Sequence, residues 1–555
     1  MTHISTIRAF QKILTTYKFS EPLSFPEEFA QKRFLKKMEL PDSQNASTRK
    51  QRCFTDWRDF DESLKLPSLL PGNWYKARLL IHKMCEGFAL APVVFTNGSE
   101  ASPTYGFNSI ESKLMRSRWE CTPDCWNLWA ITAYETLAIK RATRARFSAV
   151  MGHDCKLISL FHKESYRRFR EQKNYKFLCF SRMLSYVTYV RDASRFSTVR
   201  KNNEKDRPID LQPLCNMLVQ RRVGNGLRNM LKACHGVDLD HLAFKHRELI
   251  RNRGKATIDL KNASDSIHLD LVRFLFPKKV FDSIVQSRTY YTEGLDGHYY
   301  VTRKVSSMGN GFTFELMTVI IRALGLQFDE SFSVFGDDII IENRFARSLI
   351  KDLEAVGFVV NGDKSFIDSP FRESCGGNYH DDFGYIESYD FEYPETIHDC
   401  VVISNKAFAL RRYPTFDKLS KLLLRAVPRA LHGPAFVFDE TGGQGYDSPV
   451  KLSTTFWSNK PGRNCWDNNI AKNRLRELCY NPDEFYLVTG FVYKPKTASN
   501  ATRLIRMRKH TGKYFMYLNA CRITNDYVDD RGSWQEVSYV SNGQAFFRLK
   551  SLLSY

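Results

Sequence analysis

The sequence predicts an α+β fold divided into several lobes, and three observations lead to it. At 555 residues the chain is too long for one simple core. Residues 210–370 alternate helical runs with short strands rich in Val, Ile and Phe, notably KATIDL at 255–260. The segment SVFGDDIII at 333–341 reads as strand, tight turn and strand, an antiparallel hairpin with Gly336 and Asp337 at its tip.

Taken in order, residues 1–100 mix short helical patterns with proline breaks at Pro67, Pro71 and Pro92 and carry no recognisable chemistry; they are expected to cover or brace other parts. From Lys140 to Arg207 there are 18 Lys and Arg against 6 Asp and Glu, with Phe147, Phe161, Tyr166, Phe169, Tyr175 and Phe177 interleaved. Clustered cations and rings suggest a nucleic-acid channel, because cations neutralise phosphates while ring faces stack bases. Beyond residue 400 lie a helix-like LSKLLLRAV at 419–427 and a basic stretch, RLIRMRKHTGKY at 503–514, expected to form a separate terminal lobe.

The composition narrows the function classes. A formal charge of +21, an isoelectric point near 9.3 and 14% aromatic residues favour a polyanionic partner, single-stranded nucleic acid before a membrane. No run approaches 18 apolar residues and the N-terminus lacks an apolar signal core, so a soluble intracellular protein is expected. Thirteen scattered cysteines do not make a disulfide scaffold. Cys121 and Cys125 form the one close pair, and His153 and Cys155 lack the spacing to complete a zinc site, so the pair is read as structural. No internal repeat or low-complexity block is present.

The chemistry concentrates in a few acidic and basic segments. Asp337 and Asp338 sit side by side at the hairpin tip, where like charges repel by about 1 kcal/mol at 4 Å in water and by more in a drier site, so an oriented pair calls for a cation. In KATIDLKNASDSI, Asp259 ends a strand-like run and faces the pair, with Asp265 six residues later beside a helix start. Three convergent aspartates could hold two Mg²⁺ ions for in-line phosphoryl transfer. Between them SSMGNGFTFELMT supplies Gly309 and Gly311, which permit close backbone approach. Lys364, in NGDKSF, is placed to donate a proton to pyrophosphate or pair with its charge. Upstream, STVRKNNEKDRPI supplies Arg200, Lys201, Lys205 and Arg207, a cluster suited to a triphosphate.

Together RKNNEKDRPI, TIDLKNASDSI, SSMGNGFTFEL, FGDDII, GDKSF and PFRESCGG, with RWECTPDC at 118–125 less closely, resemble the replicase subunit of small positive-strand RNA bacteriophages, the Qbeta-like group. The match covers roughly residues 185–380 in linear order. The resemblance implies an RNA-dependent RNA polymerase shaped as a right hand, with an antiparallel palm sheet flanked by helices. The expected division is an N-terminal, fingers-associated region (1–120), fingers with a basic RNA and nucleotide channel (121–250), a catalytic palm (251–400), and a thumb with the C-terminal region (401–555).

By position, Asp259, Asp337 and Asp338 match the metal-binding aspartates, with the main-chain carbonyl of Leu260 as a further ligand and Mg²⁺, replaceable by Mn²⁺, as the ion. Asp265 matches the residue that senses the ribose 2′-hydroxyl, Gly309–Asn310–Gly311 the loop beside the template and nascent pair, and Lys364 the lysine assisting pyrophosphate departure. Arg200, Lys201, Lys205 and Arg207 match the triphosphate-binding segment, and SPFRESCGG the element near the growing end. Phe335 stands where this family usually has Tyr, which keeps the aromatic packing. The family also implies RNA template and product, ribonucleoside triphosphates, primer-independent initiation, and assembly with bacterial elongation factors Tu and Ts and, for some members, a ribosomal protein, in the cytoplasm of the infected host.

Two rival readings stand beside this one. A reverse transcriptase would use a similar acidic hairpin, against which Asp265 argues for ribonucleotides. A non-catalytic RNA-binding protein on the same scaffold would have no need of the full set Asp259, Asp337, Asp338 and Lys364.

Overall fold

The computed structural model describes residues 3–38, 46–95, 100–101, 113, 119–201, 205–389, 391, 393–394 and 397–426, together with the backbone of five strands between 485 and 549. In chain order the first helices are α1 (His3–Thr16), α2 (Phe25–Met38), α3 (Ala46–Ser63) and α4 (Gly72–Cys85). A short strand β1 (Trp119–Cys121) leads to α5 (Trp126–Glu135), α6 (Leu137–Val150), α7 (Cys155–Phe169) and α8 (Tyr175–Ser185). Strands β2 (Thr188–Val190), β3 (Ala193–Arg200) and β4 (Asp206–Leu211) precede α9 (Leu214–His235) and α10 (Leu239–Leu249). Next come β5 (Lys255–Ile258), β6 (Leu260–Lys261), α11 (Leu269–Leu275), α12 (Lys278–Ser287), β7 (Tyr291–Glu293), β8 (Tyr299–Val301) and α13 (Thr313–Gly325).

The hairpin β9 (Ser333–Phe335) and β10 (Asp338–Glu342) is followed by α14 (Asn343–Glu354), β11 (Val359–Val360), β12 (Phe371–Ser374), β13 (Gly377–His380) and β14 (Gly384–Tyr385). Two helices, α15 (Ile397–Ala409) and α16 (Pro414–Ala426), come next, and then strands β15 (Phe485–Val488), β16 (Phe491–Lys494), β17 (Leu504–Met507), β18 (Ser533–Glu536) and β19 (Ala545–Leu549). These five pair as β15–β19–β17 and β16–β18. Of the basic stretch at 503–514, only the β17 backbone falls within the described residues.

The chain forms two compact units. In the smaller, α1 and α2 pack with the segment from residue 391 through α16. Phe34 lies 4.0 Å from Phe391 and 5.5 Å from Phe416, ring centre to centre. The buried Glu27 carboxylate accepts from the Thr415 backbone N–H at 3.0 Å and hydroxyl at 2.6 Å, and from Leu23 N–H at 2.9 Å. Burial alone would raise the pKa of Glu27, but these hydrogen bonds outweigh it and hold the group below the ordinary carboxylate range.

The larger unit, residues 43–105 and 113–386, is built round the three-stranded antiparallel sheet β5–β10–β9. Ile339, Ile340 and Ile341 of β10 are wholly buried, so both sheet faces are covered and the usual alternation of apolar and polar residues is lost. α13 is buried on nearly every face, as a central helix must be, and packs on α4, α9 and β9. The Trp74 indole donates to the Asp352 carbonyl at 2.9 Å, tying α4 to α14. A second sheet, β4–β3–β7–β8, joins β3 and β7 in parallel. β12–β13–β14 is an antiparallel meander.

Helices α5 to α8 enclose their own apolar cluster, which corrects one reading of the basic tract. Phe147 and Phe161, interleaved with its cations, are buried against each other at 4.4 Å and cannot offer their faces to bases. Tyr166 is exposed. Cys215 of α9 joins Cys121 and Cys125 in the same interior as free thiols, and the Cys121 thiol donates to the Thr122 carbonyl at 3.4 Å. Among the described residues no helix is long and apolar enough to cross a membrane.

Candidate active site

The β9–β10 hairpin turns in two residues: Asp338 pairs with Phe335, leaving Gly336 and Asp337 at the tip. Gly336 adopts φ +65°, the left-handed conformation required at the first position of this turn. A Cβ there would lie 2.5 Å from the Phe314 ring, so glycine is required twice over. Phe314 in turn packs edge-on against Phe335 at 4.7 Å, and the Thr318 hydroxyl of α13 accepts from the Gly336 N–H at 3.1 Å. Phe335 thus keeps the packing expected of an aromatic before the acidic pair.

Asp259 lies between β5 and β6, opposite this hairpin. Its position is fixed from several sides. The Asn361 backbone N–H donates to its carbonyl at 2.8 Å, the Asn361 side-chain amide to Oδ2 at 2.6 Å, and its own N–H donates to Ser365 Oγ at 3.1 Å. Leu260 is buried and pairs with Val360 of β11.

The three aspartates share one electrostatic neighbourhood. Burial raises the pKa of Asp337, reinforced by the Asp259 charge and opposed by its own backbone N–H and by Lys364 and Arg207. Asp338 is pushed up to about 7 by burial and then by Asp337 and Asp259, against hydrogen bonds from the Cys375 backbone and thiol. Lys201 is lowered by burial and by Arg207 and Lys364, with Asp259 opposing and Lys205 adding to the shift. Lys201, Arg207 and Lys364, up to 163 positions apart in sequence, therefore lie within electrostatic reach of Asp259 or Asp337, and Lys205 within reach of Lys201. Arg200 lies at the end of β3, paired with Asp206 in the strand register.

Asp265 belongs to a separate buried network. Its Oδ1 accepts from Lys304 Nζ at 2.8 Å and Ser307 Oγ at 3.0 Å, and its Oδ2 from Ser264 at 3.1 Å. The Lys304 ammonium sits 4.1 Å over the Trp57 ring, which brings α3 into the site. Nothing in residues 1–100 marked Trp57 out, since its role depends on a fold contact 247 positions away.

The loop at 309–311 has local reasons for its glycines. A Cβ on Gly309, at φ +115°, would meet the Asp210 carbonyl at 2.4 Å, and one on Gly311 would meet Arg221 at 2.8 Å. Asn310 Oδ1 accepts from the Ser307 N–H at 3.0 Å. The glycines let this loop pass α9 and β4.

His246 was also not found from sequence. Wholly buried on α10, it bonds Ser374 of β12 through Nδ1 and Ser333 of β9 through Nε2, each at 2.8 Å. Burial, with Lys245 adding, lowers its pKa to about 4, so the ring is neutral, one nitrogen donating and the other accepting.

Half-buried oxygen donors that repel one another are a ligand set for a hard divalent cation. Among the described residues no group of three or more His, Cys, Asp or Glu side chains is arranged around an ion position, and one Asp259 oxygen is engaged by Asn361. The donor chemistry fits such an ion without a closed cage. An acidic hairpin tip facing a third carboxylate, with lysines and an arginine in electrostatic reach, has the charges that a polyphosphate with a divalent counter-ion would need.

Residues 158–406 match the family described as RNA replicase, beta-chain. The chain is 40% identical over 226 residues to the RNA-directed RNA polymerase subunit beta of Enterobacteria phage SP, a match covering 38% of each protein. It is 36% identical over 225 residues to the corresponding subunit of Escherichia virus Qbeta, covering 36% of this chain and 38% of that one. The matched region therefore spans less than half the length of these relatives. Among solved structures, the RNA-dependent RNA polymerase of a human picorbirnavirus aligns with a TM-score of 0.30 at 12% identity, covering 42% of this chain and 55% of that one.

Proposed function

We propose that the chain is an RNA-directed RNA polymerase that copies a phage RNA genome, and that residues 251–400 form its palm, between fingers at 121–250 and a thumb beyond 400. The observation that carries this reading is the convergence of Asp259 with Asp337 and Asp338 beside Lys201, Arg207 and Lys364. Two Mg²⁺ ions, or Mn²⁺ in their place, held by the three carboxylates with the Leu260 carbonyl, would activate the attacking 3′-hydroxyl and offset charge on the phosphates.

The chain's own residues supply the rest. Lys201, Lys205 and Arg207 hold the incoming triphosphate by charge-assisted hydrogen bonds, with Arg200 at the rim of the same segment. Lys364 delivers a proton to the departing pyrophosphate. Asp265, held by Lys304 and Ser307, accepts from the ribose 2′-hydroxyl, and Gly309–Asn310–Gly311 lines the path of the template. RNA template, RNA product and ribonucleoside triphosphates are its ligands. By the family's pattern, initiation needs no primer, and elongation factors Tu and Ts, with a ribosomal protein as in some members, join the chain in the bacterial cytoplasm.

The test is incorporation of labelled ribonucleotide on an RNA template with Mg²⁺, with and without the elongation factors. Asp259→Asn and Asp337→Asn should each abolish incorporation while leaving RNA affinity within a few fold. Incorporation of deoxynucleotides with rejection of ribonucleotides would overturn the reading, as would full activity in Asp337→Asn.

A further inference from the structure

Gln220 of α9 is an amide with no exposure to solvent. A polar side chain buried in this way costs stability unless its groups are paired, and its partners come from other segments of the chain. Its Nε2 donates to the Ser287 carbonyl at 3.0 Å and to Gln212 Oε1 at 2.8 Å, and its Oε1 accepts from the Gly311 N–H at 3.0 Å. A backbone N–H only donates and a carbonyl only accepts, so the amide has a single orientation. Gln212, also buried, is oriented in turn: its Oε1 faces Gln220, and its Nε2 donates to Asp210 Oδ2 at 2.7 Å.

The loop that carries Gly311 is seated on the same helix. A Cβ on Gly224, one turn after Gln220, would lie 2.5 Å from the Gly311 carbonyl oxygen, so the loop backbone presses directly on α9. The Asp210 N–H donates to the Met308 carbonyl at 2.8 Å and fastens the loop to β4 as well. Inside the loop the Ser307 N–H donates to Asn310 Oδ1 at 3.0 Å, and the Thr313 hydroxyl donates to the Ser307 carbonyl at 3.1 Å. Ser307 Oγ donates onward to Asp265 Oδ1 at 3.0 Å. The contacts thus lead from Gln220 through Gly311 and Ser307 to Asp265.

We propose that Gln220 is a positioning residue for ribonucleotide selection, which holds the 307–311 loop on α9 so that Ser307 presents the Asp265 carboxylate to the ribose 2′-hydroxyl. The inference rests on the polymerase reading above and on the part given there to Asp265. A displaced loop takes Ser307 with it and weakens a contact that only a ribonucleotide makes. A deoxynucleotide, with no 2′-hydroxyl, gains nothing from that contact and loses nothing with it. Loss of the seat therefore acts on the difference between the two substrates, whereas a general loosening of the fold acts on both alike.

The test is single-nucleotide incorporation by the full chain with the elongation factors, Mg²⁺ and an RNA template, with kcat/KM measured for a ribonucleotide and for its deoxy counterpart. Two variants move the loop by different means. Gln220→Met keeps the side-chain volume and removes the hydrogen bonds; Gly224→Ala leaves Gln220 intact and displaces the Gly311 carbonyl. Each should lower kcat/KM for the ribonucleotide by up to about a hundredfold, the scale of a misplacement of about 1 Å, and leave that for the deoxynucleotide nearly unchanged. Equal losses for both substrates would overturn the proposal, and Gly224→Ala decides the matter if Gln220→Met does not fold. A wild-type chain that incorporates neither substrate, or prefers the deoxynucleotide, fails the polymerase reading itself, whereas a ribonucleotide preference present in wild type and kept in the variants refutes the role of Gln220 alone.

Discussion

Replacing Lys304 with Met tests the buried Asp265 network directly. The Lys304 and Asp265 side chains are 1% and 8% exposed and 2.8 Å apart, so water screens neither charge. Removing one member of such a pair costs about 3–5 kcal/mol, because the other is left buried without its counter-charge. Met keeps the stem volume and a favourable sulfur contact with Trp57, so little of the loss comes from packing. Ser264 and Ser307 still donate to Asp265 and bring the expected cost to the lower end, about 3 kcal/mol. Urea unfolding followed by tryptophan fluorescence should show Lys304→Met shifted to lower denaturant. The double variant with Asp265→Asn should recover about 2 kcal/mol of the loss, since no charge is then stranded. A loss under 1 kcal/mol for the single variant, or no recovery in the double, would refute the claim that this pair is dry and mutually dependent.

Other outcomes follow from the same geometry. His246, with its pKa near 4 when folded against about 6.5 when unfolded, binds its proton more readily in the unfolded chain; stability is therefore complete above pH 6.5 and falls by roughly 2–4 kcal/mol as pH drops to 4. In His246→Gln, which can still donate to one serine and accept from the other, acid titration of the unfolding midpoint should be flatter across that window. Asp338→Asn should raise the melting temperature in metal-free buffer at pH 8, by the equivalent of about 2 kcal/mol, while ending nucleotide incorporation. Calorimetry showing it less stable than wild type would contradict the like-charge burden placed on Asp338. Gly336→Ala should lose about 2–4 kcal/mol through left-handed strain and overlap with Phe314, read as a lower unfolding midpoint.

The parts of the site legible in the sequence were those written in consecutive residues. Gly336 with Asp337 and Asp338 declared a hairpin because a two-residue turn demands a glycine and flanking apolar strands, and Asp259 stood at the end of such a strand. The cationic segment and Lys364 could be named from their residues, although their meeting depends on the fold. What escaped lies in contacts between distant elements made by unremarkable residues. His246 matters because two serines from different sheets converge on it, and Trp57 because α3 carries it over Lys304. Phe147 and Phe161 misled for the complementary reason: a ring among cations can face a helical interior as easily as a groove, and composition does not tell the two apart.

The Glu27–Thr415 contact gives the smaller unit a particular history during synthesis. Its partners are 388 residues apart, so at about 5–20 residues per second the ribosome needs roughly 20–80 s to deliver Thr415 after Glu27 has formed. For that interval α1 and α2 lack the helices that cover Phe34 and satisfy Glu27, whereas the larger unit, whose last strand ends at Tyr385, has all its strands made before Thr415 is added. Assembly of the smaller unit is therefore the late event, and a nascent chain arrested before residue 414 should hold a formed acidic site while α1 and α2 still lack the α16 partner.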